Sequence, residues 1–402
     1  MSFEPIGFVT LLLGLACFWF GPAFTVYALL ATSLLGAAAA AILTSLGGSS
    51  IPPSNMLLIF VLLEFMRHRW IRQGIPAALA PPRAGFFLIL MLIYAVISGL
   101  FLPRLFAGMT YTFGNREGTG VLLPLMPTSG NFTQTVYFIG DCICFMIIAA
   151  YTRRRETAFV TANAILFCCI VDLFFAVLDQ VTYMTGTADL IMGPIRNASY
   201  SMLNDNVALG IKRLVGSFPE ASAYAFVTLG LFGASFSLWL RHYRSRYSGI
   251  LSFLLMFSLF ISTSSTAYAG AIAYLAVAYA ECLYKLQRGR ATHNMSLFIF
   301  VAPFVALFLA ILLQFFDSVL IALSEMADDV LFNKMRLGIG YRAGHVEPTG
   351  HNQFLRHLRA RSRARQRQSF ELRHLPAGKY RRLRHRDLRR LYRPDGVRQA
   401  RS

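Results

Sequence analysis

Apolar residues come in long runs from the N-terminus to about Lys334, and too few amphipathic segments occur to hide those runs in a soluble core. A helix needs roughly 17–25 apolar residues to cross a hydrocarbon core about 30 Å thick, and windows near that size recur along the chain. About ten spans are expected, over residues 6–20, 24–46, 51–66, 84–102, 135–151, 159–184, 221–240, 250–262, 267–284 and 295–316. Only Gly21-Pro22 divides the first two, and a short polar stretch, Ile261-Ser-Thr-Ser-Ser-Thr266, joins the eighth and ninth. The expected fold is all-α: a polytopic transmembrane helical bundle over residues 1–335, followed by a separate tail at 336–402. The first run lacks a basic n-region and a small-residue cleavage site, so it reads as a retained helix rather than a signal peptide.

Charge orients the bundle. Residues Arg67, Arg69, Arg72, Arg83, Arg153–Arg155, Arg241, Arg244, Arg246, Lys285, Arg288 and Arg290 place 13 cations in four alternate loops. The opposite side holds five before the tail: Arg104, Arg116, Arg196, Lys212 and Arg213. Lys and Arg in short loops stay in the cytoplasm, so the first set is expected there. Two sizeable loops, 103–134 and 185–220, then lie outside.

Composition agrees: 56% of residues are hydrophobic and the mean hydropathy is +0.53. All six cysteines fall inside apolar runs, without metal-ligand spacing, and read as small hydrophobes. The tail does not match the rest. Between Arg336 and Ser402 there are 19 Lys or Arg and 4 Asp or Glu, which puts about +15 of the net +19 there. It holds 18 Arg to one Lys, five of the eight His and no apolar periodicity, so it is expected to be disordered. It resembles a reading-frame error or a truncated end. The plainer alternative is a basic cytoplasmic tail that touches anionic lipid or RNA.

Candidate chemistry concentrates in the second outer loop. It runs through Arg196-Asn-Ala-Ser-Tyr200 to Ile211-Lys-Arg-Leu-Val-Gly-Ser-Phe-Pro-Glu220. Arg196, Lys212 and Arg213 sit where positive charge is otherwise avoided, and an Arg fork suits phosphate or carboxylate oxygens. Gly216 would allow close backbone approach to a ligand, and Glu220 could serve as a general base or orient a sugar hydroxyl. The structural alternative has the cations snorkelling to headgroups and Glu220 capping the next helix. The acids Asp141, Asp172, Asp179 and Glu281 fall within spans. Such acids are costly in lipid and should face the bundle or its edges, as proton relays or as inter-helix hydrogen bonds. For Asp179 and Glu281, near span ends, the structural role is favoured. No P-loop, GxSxG, HExxH or CxxC pattern occurs.

Over 212–220, and in the order of its loops over residues 1–335, the chain resembles the superfamily of O-antigen ligases and Wzy- or ExoQ-like polysaccharide polymerases, in particular the VpsF type. That family has an outer loop with an Arg before a Gly and a helix, then a short Ser/Thr break (here 262–266), then a larger outer loop. The resemblance implies a membrane glycosyltransferase without a cofactor or metal, in the bacterial inner membrane. It would extend or transfer saccharides linked to undecaprenyl diphosphate at the periplasmic face. Its partners would be the lipid-linked oligosaccharide, membrane lipids and other polysaccharide export components, with no specific nucleic acid. By that resemblance Arg213 is a diphosphate ligand, with Lys212 and Arg196 as weaker substrate-binding candidates and Glu220 as the catalytic acid group facing the acceptor. The chain departs from the family where its late outer loop would carry a second essential Arg or His. Here 317–335 begins such a loop and the Arg-rich tail follows, so the chain could be inactive. Two other readings stay open: a transporter or flippase using Asp141 and Asp172, and a membrane anchor whose tail binds polyanions.

Overall fold

The computed structural model describes residues 2–43, 49–113, 122–199, 202–203, 207–208 and 211–315; the expected tail and the loop 317–335 lie outside these. Met1–Ile311 forms one compact unit, and a second, Leu312–Ser402, is described only over 312–315. The architecture is the expected all-α one. Eleven helices occur among the described residues: α1 Pro5–Ser33, α2 Pro53–Arg67, α3 Arg69–Leu79, α4 Ala84–Leu105, α5 Ser129–Tyr151, α6 Arg155–Thr185, α7 Ala188–Met192, α8 Ala221–Leu240, α9 Ser245–Ile261, α10 Ser265–Gln287 and α11 His293–Phe315. By length and composition seven of them (α1, α4, α5, α6, α8, α10 and α11) are apolar enough to cross a membrane, α1 only when its two arms either side of Gly21 are counted together, and α9 is a shorter apolar helix. The protein is a multi-pass membrane protein. Large apolar side chains such as Tyr94 (69% exposed) and Phe101 (63%) stand outward on α4, where only lipid would cover them.

The N-terminal helix doubles back. Gly21 adopts φ 79° and ψ −171°, which breaks the helical path, and Pro22 follows it. A straight helix of 29 residues would run about 43 Å. Yet the strand β1 (Ser2–Phe3) pairs antiparallel with β2 (Ala41–Leu43), Ser2 opposite Ile42. Residues 34–40 can span at most about 25 Å, so the chain must fold back at Gly21. Gly7 is the point of closest approach, since a Cβ there would lie 2.1 Å from the carbonyl oxygen of Ala40.

This corrects the expected second span, which ends at Ser33 rather than at 46. The alanines that follow are strong helix formers, but tertiary hydrogen bonds override that preference. The Ala37 amide donates to Ser217 O (3.0 Å), the Ala40 amide to Ile51 O (2.8 Å), and the Ala39 amide to Asn197 Oδ1 (2.8 Å). Ala37 to Ala41 are essentially unexposed, and a bulkier side chain would have no room. A third strand, β3 (Ser49–Ile51), continues this small sheet. The amphipathic α3 was hidden from a hydropathy reading by Arg69 and Arg72; its buried Ile71 and Gly74 pack on α5, with Gly74 against Ala150, and Ala78 meets Gly85 of α4.

The four basic loops gather at one end of the bundle. Arg154 stacks over Trp70 at 4.2 Å, the Tyr243 hydroxyl donates to Asn163 Oδ1 (3.0 Å), and Asn294 Nδ2 donates to Trp239 O (2.6 Å). The opposite end joins the alanine run, the N-termini of α2, α5 and α8 and the loop 186–220, partly through Tyr137 donating to Ser50 O. The Gly186 C-cap, left-handed at φ 69°, turns the chain out of α6 into that loop. This separation of ends predicts opposite accessibility for Leu190→Cys and Tyr247→Cys, both at exposed positions. A membrane-impermeant thiol reagent should label the first in intact cells and the second only after permeabilisation. Labelling of both from one side would contradict the arrangement.

Candidate functional site

Among the described residues of the loop 193–220, four side-chain and backbone donors converge on one carboxylate of the bundle. Asp179 lies on the last turns of α6, about 9 Å before its end, and is 1% exposed. Its Oδ1 accepts from Lys212 Nζ (2.5 Å) and Arg196 Nη2 (2.6 Å). Its Oδ2 accepts from the backbone amides of Val215 (3.0 Å) and Gly216 (3.2 Å). Both cationic side chains are nearly sealed, at 2% and 5% exposure. Lys212 also lies over the Tyr183 ring at 5.1 Å, and Gln180 Nε2 donates to Lys212 O (3.3 Å). Removing a charge from water costs several kcal/mol, so such a group persists only when its hydrogen-bonding positions are filled. Asp179 meets that condition with four donors.

Gly216 serves this clamp. Its φ of +60° is left-handed, its amide faces Asp179, and its carbonyl accepts from Arg196 Nε (3.1 Å). A Cβ there would stand 3.1 Å from the Tyr224 ring. The close approach expected of this glycine is therefore to the protein's own α6 and α8. Ser217 Oγ donates to Leu34 O (2.6 Å), which ties the same turn to the N-terminal hairpin.

Arg213 stands apart from the clamp. Its guanidinium is half-buried, and Nη2 donates to Thr263 O (3.2 Å) in the polar break between α9 and α10. Its Nε is buried with no hydrogen-bond partner. Thr263 itself has φ 48°, and Ser262 and Ser264 beside it are buried. Two features that are far apart in sequence, the Arg before Gly and the Ser/Thr break, are thus in contact. Glu220 occupies the N-cap position of α8, yet its side chain makes no cap hydrogen bond; its Oε1 accepts from Ser222 Oγ instead. It therefore stands at the start of α8, as the capping alternative has it, with its carbonyl accepting from the Tyr224 amide (3.1 Å) but without a side-chain cap.

The acids within the spans separate by environment. Asp172 is 1% exposed and accepts from Thr228 Oγ1 (3.0 Å), while its Oδ1 has no partner. Asp141 lies on the exposed face of α5, and Glu281 pairs with Lys285 one turn on. Of these four, Asp172 and Asp179 are buried in the interior. The Asp179 hub was not foreseen as the partner of the loop cations; the signal was an acid near a span end with two unexplained cations in the loop that follows.

No protein-family model, no characterised protein and no solved structure matches this chain.

Asp179→Asn should destabilise the protein by about 3–5 kcal/mol, because two buried cations lose their counter-charge. A detergent-solubilised thermal unfolding series checks this against Glu281→Gln, whose exposed pair should be worth no more than about 1 kcal/mol. Equal shifts for the two would contradict the clamp. Gly216→Ala should cost a further measurable amount, about 1–2 kcal/mol for the left-handed backbone alone, read in the same assay.

Proposed function

We propose that this protein is a glycosyltransferase of polysaccharide synthesis in the bacterial inner membrane, acting on saccharides carried by undecaprenyl diphosphate at the periplasmic face. The observation that carries the reading is the state of Arg213. Three cations meet at this end of the bundle, and Asp179 can neutralise only one of the two that bind it. Arg213 has no carboxylate partner among the described residues and keeps a buried Nε without an acceptor. That excess positive charge favours an anion, and a diphosphate supplies oxygens in the geometry a guanidinium matches. The resemblance over 212–220 and the contact of Arg213 with the Ser/Thr break support the same assignment. Arg196 and Lys212, committed to Asp179, add field to the site and hold the loop; direct contact with substrate falls to Arg213.

In the proposed reaction an acceptor sugar hydroxyl attacks the anomeric carbon of the lipid-linked glycan. The bond from that carbon to the diphosphate oxygen breaks, and undecaprenyl diphosphate leaves with both electrons. Arg213 stabilises the charge that develops on the leaving oxygens. Glu220, oriented by Ser222, accepts the hydroxyl proton.

A second reading, transport or flipping coupled to protons, draws on Asp172 and its unpartnered oxygen inside α6. The two readings separate by mutation. Arg213→Lys keeps the charge but loses the planar fork, so polymer length or glycan transfer in a complemented deletion strain should fall by at least about tenfold. Asp172→Asn should leave transfer largely intact. Normal product from Arg213→Lys, together with loss in Asp172→Asn, would overturn the transferase reading.

A further inference from the structure

At the basic end of the bundle a cavity of about 300 Å³ opens between α6 and α8. Small side chains make it: Ala158 and Ala162 on α6 face Ala234 on α8, so no bulky group fills the space between the two helices. The polar groups on its wall are already satisfied within the protein. Thr161 Oγ1 donates to Thr157 O (3.1 Å), and Ser237 Oγ is hydrogen-bonded to the Tyr274 hydroxyl at 2.9 Å. The wall is therefore effectively apolar apart from one residue.

That residue is Arg241, at the C-terminal end of α8. It lines the cavity, is exposed, and forms no ion pair or side-chain hydrogen bond among the described residues. Glu281 on α10 lies within electrostatic reach of Arg241 but forms its ion pair with Lys285. A second cavity of about 220 Å³ adjoins the first across Ile165 and continues along α6 and α8 towards Leu34. Gly230 forms part of it, and a Cβ there would meet nothing within 4 Å. The surface thus combines an apolar groove running lengthwise between two membrane helices with a single unpaired cation at its basic end.

We propose that this groove binds an anionic phospholipid of the leaflet on the side of the basic loops. The acyl chain lies between α6 and α8, and the headgroup phosphate is held by Arg241. Chain and net charge are both needed: the ammonium of a zwitterionic lipid competes with the guanidinium for the phosphate, and a free phosphate leaves the apolar groove uncovered. This site lies at the opposite end of the bundle from Arg213 and does not depend on the transferase reading.

The full chain, delipidated in neutral detergent, tests it with phosphatidylglycerol, phosphatidylcholine of identical chains and inorganic phosphate as probes, scored by native mass spectrometry and by the unfolding midpoint. Phosphatidylglycerol should bind at least about tenfold more tightly than phosphatidylcholine and raise the midpoint, while phosphate alone should do neither. Arg241→Gln should bring the two lipids level, and Ala234→Leu, which fills the groove, should weaken both. Arg246→Gln, at an exposed cation of the same end but not in the groove wall, should keep the preference. The proposal is overturned if Arg241→Gln retains the preference, if Arg246→Gln loses it equally, if Ala234→Leu binds both lipids unchanged, or if phosphate reproduces the shift.

Discussion

A carboxylate sealed inside a membrane helix bundle has to find its donors within the protein, and the end of this molecule opposite the basic loops is organised by that requirement at Asp179. It draws two side chains and two backbone amides onto α6, from positions 17 to 37 residues further along the chain. The loop that contains them consequently behaves as part of the bundle. Its residues Leu214 to Phe218 are as buried as those of the helices beneath. A loop without the acid would have to leave Lys212 and Arg196 in water and carry its own backbone polar groups there.

The N-terminal hairpin is the other half of the same construction. Turning back at Gly21 brings the alanine run under the loop, where Asn197 reads both the amide and the carbonyl of Ala39. Ser217 reaches Leu34 from the other side. Two segments that neither cross the membrane nor form long elements thus lock each other through backbone hydrogen bonds, which small side chains permit. What remains outside this locked layer is Arg213, aimed at Thr263 with donors left over. A cation fixed on a rigid support and incompletely paired is pre-organised for an anion, since little reorganises when the ligand arrives.

Much of this was legible in the sequence, and the failures have physical causes. Apolar run length identified the long helices and the positions of the basic loops, because hydrocarbon thickness and loop charge impose simple constraints. The extension of the second span beyond Ser33 to Leu46 failed because hydropathy does not distinguish an alanine that continues a helix from one that pairs with a strand. The α3 helix failed for the opposite reason: its exposed arginines masked a buried face only three residues deep. The cations of the outer loop were visible as anomalies, and so was Asp179, assigned to inter-helix bonding or an interface. Their joining was not visible, because ion pairs between a helix and a loop 17 and 33 residues away leave no periodic trace. The resemblance alone ranked Arg213 above its neighbour Lys212; the structure separates them, with Lys212 inward on Asp179 and Arg213 on Thr263.

The most direct test of the clamp is hydrogen–deuterium exchange of the backbone over residues 211–220 in the wild type and in a variant in which Asp179 is replaced by asparagine. The amides of Val215 and Gly216 donate to the carboxylate in a buried setting, so they should be strongly protected in the wild type and exchange at least about a hundredfold faster in the variant, with α8 itself little changed. Fast exchange of this segment in the wild type, or equal protection in both proteins, would contradict a loop held by Asp179 and with it the fixed placement of Arg213.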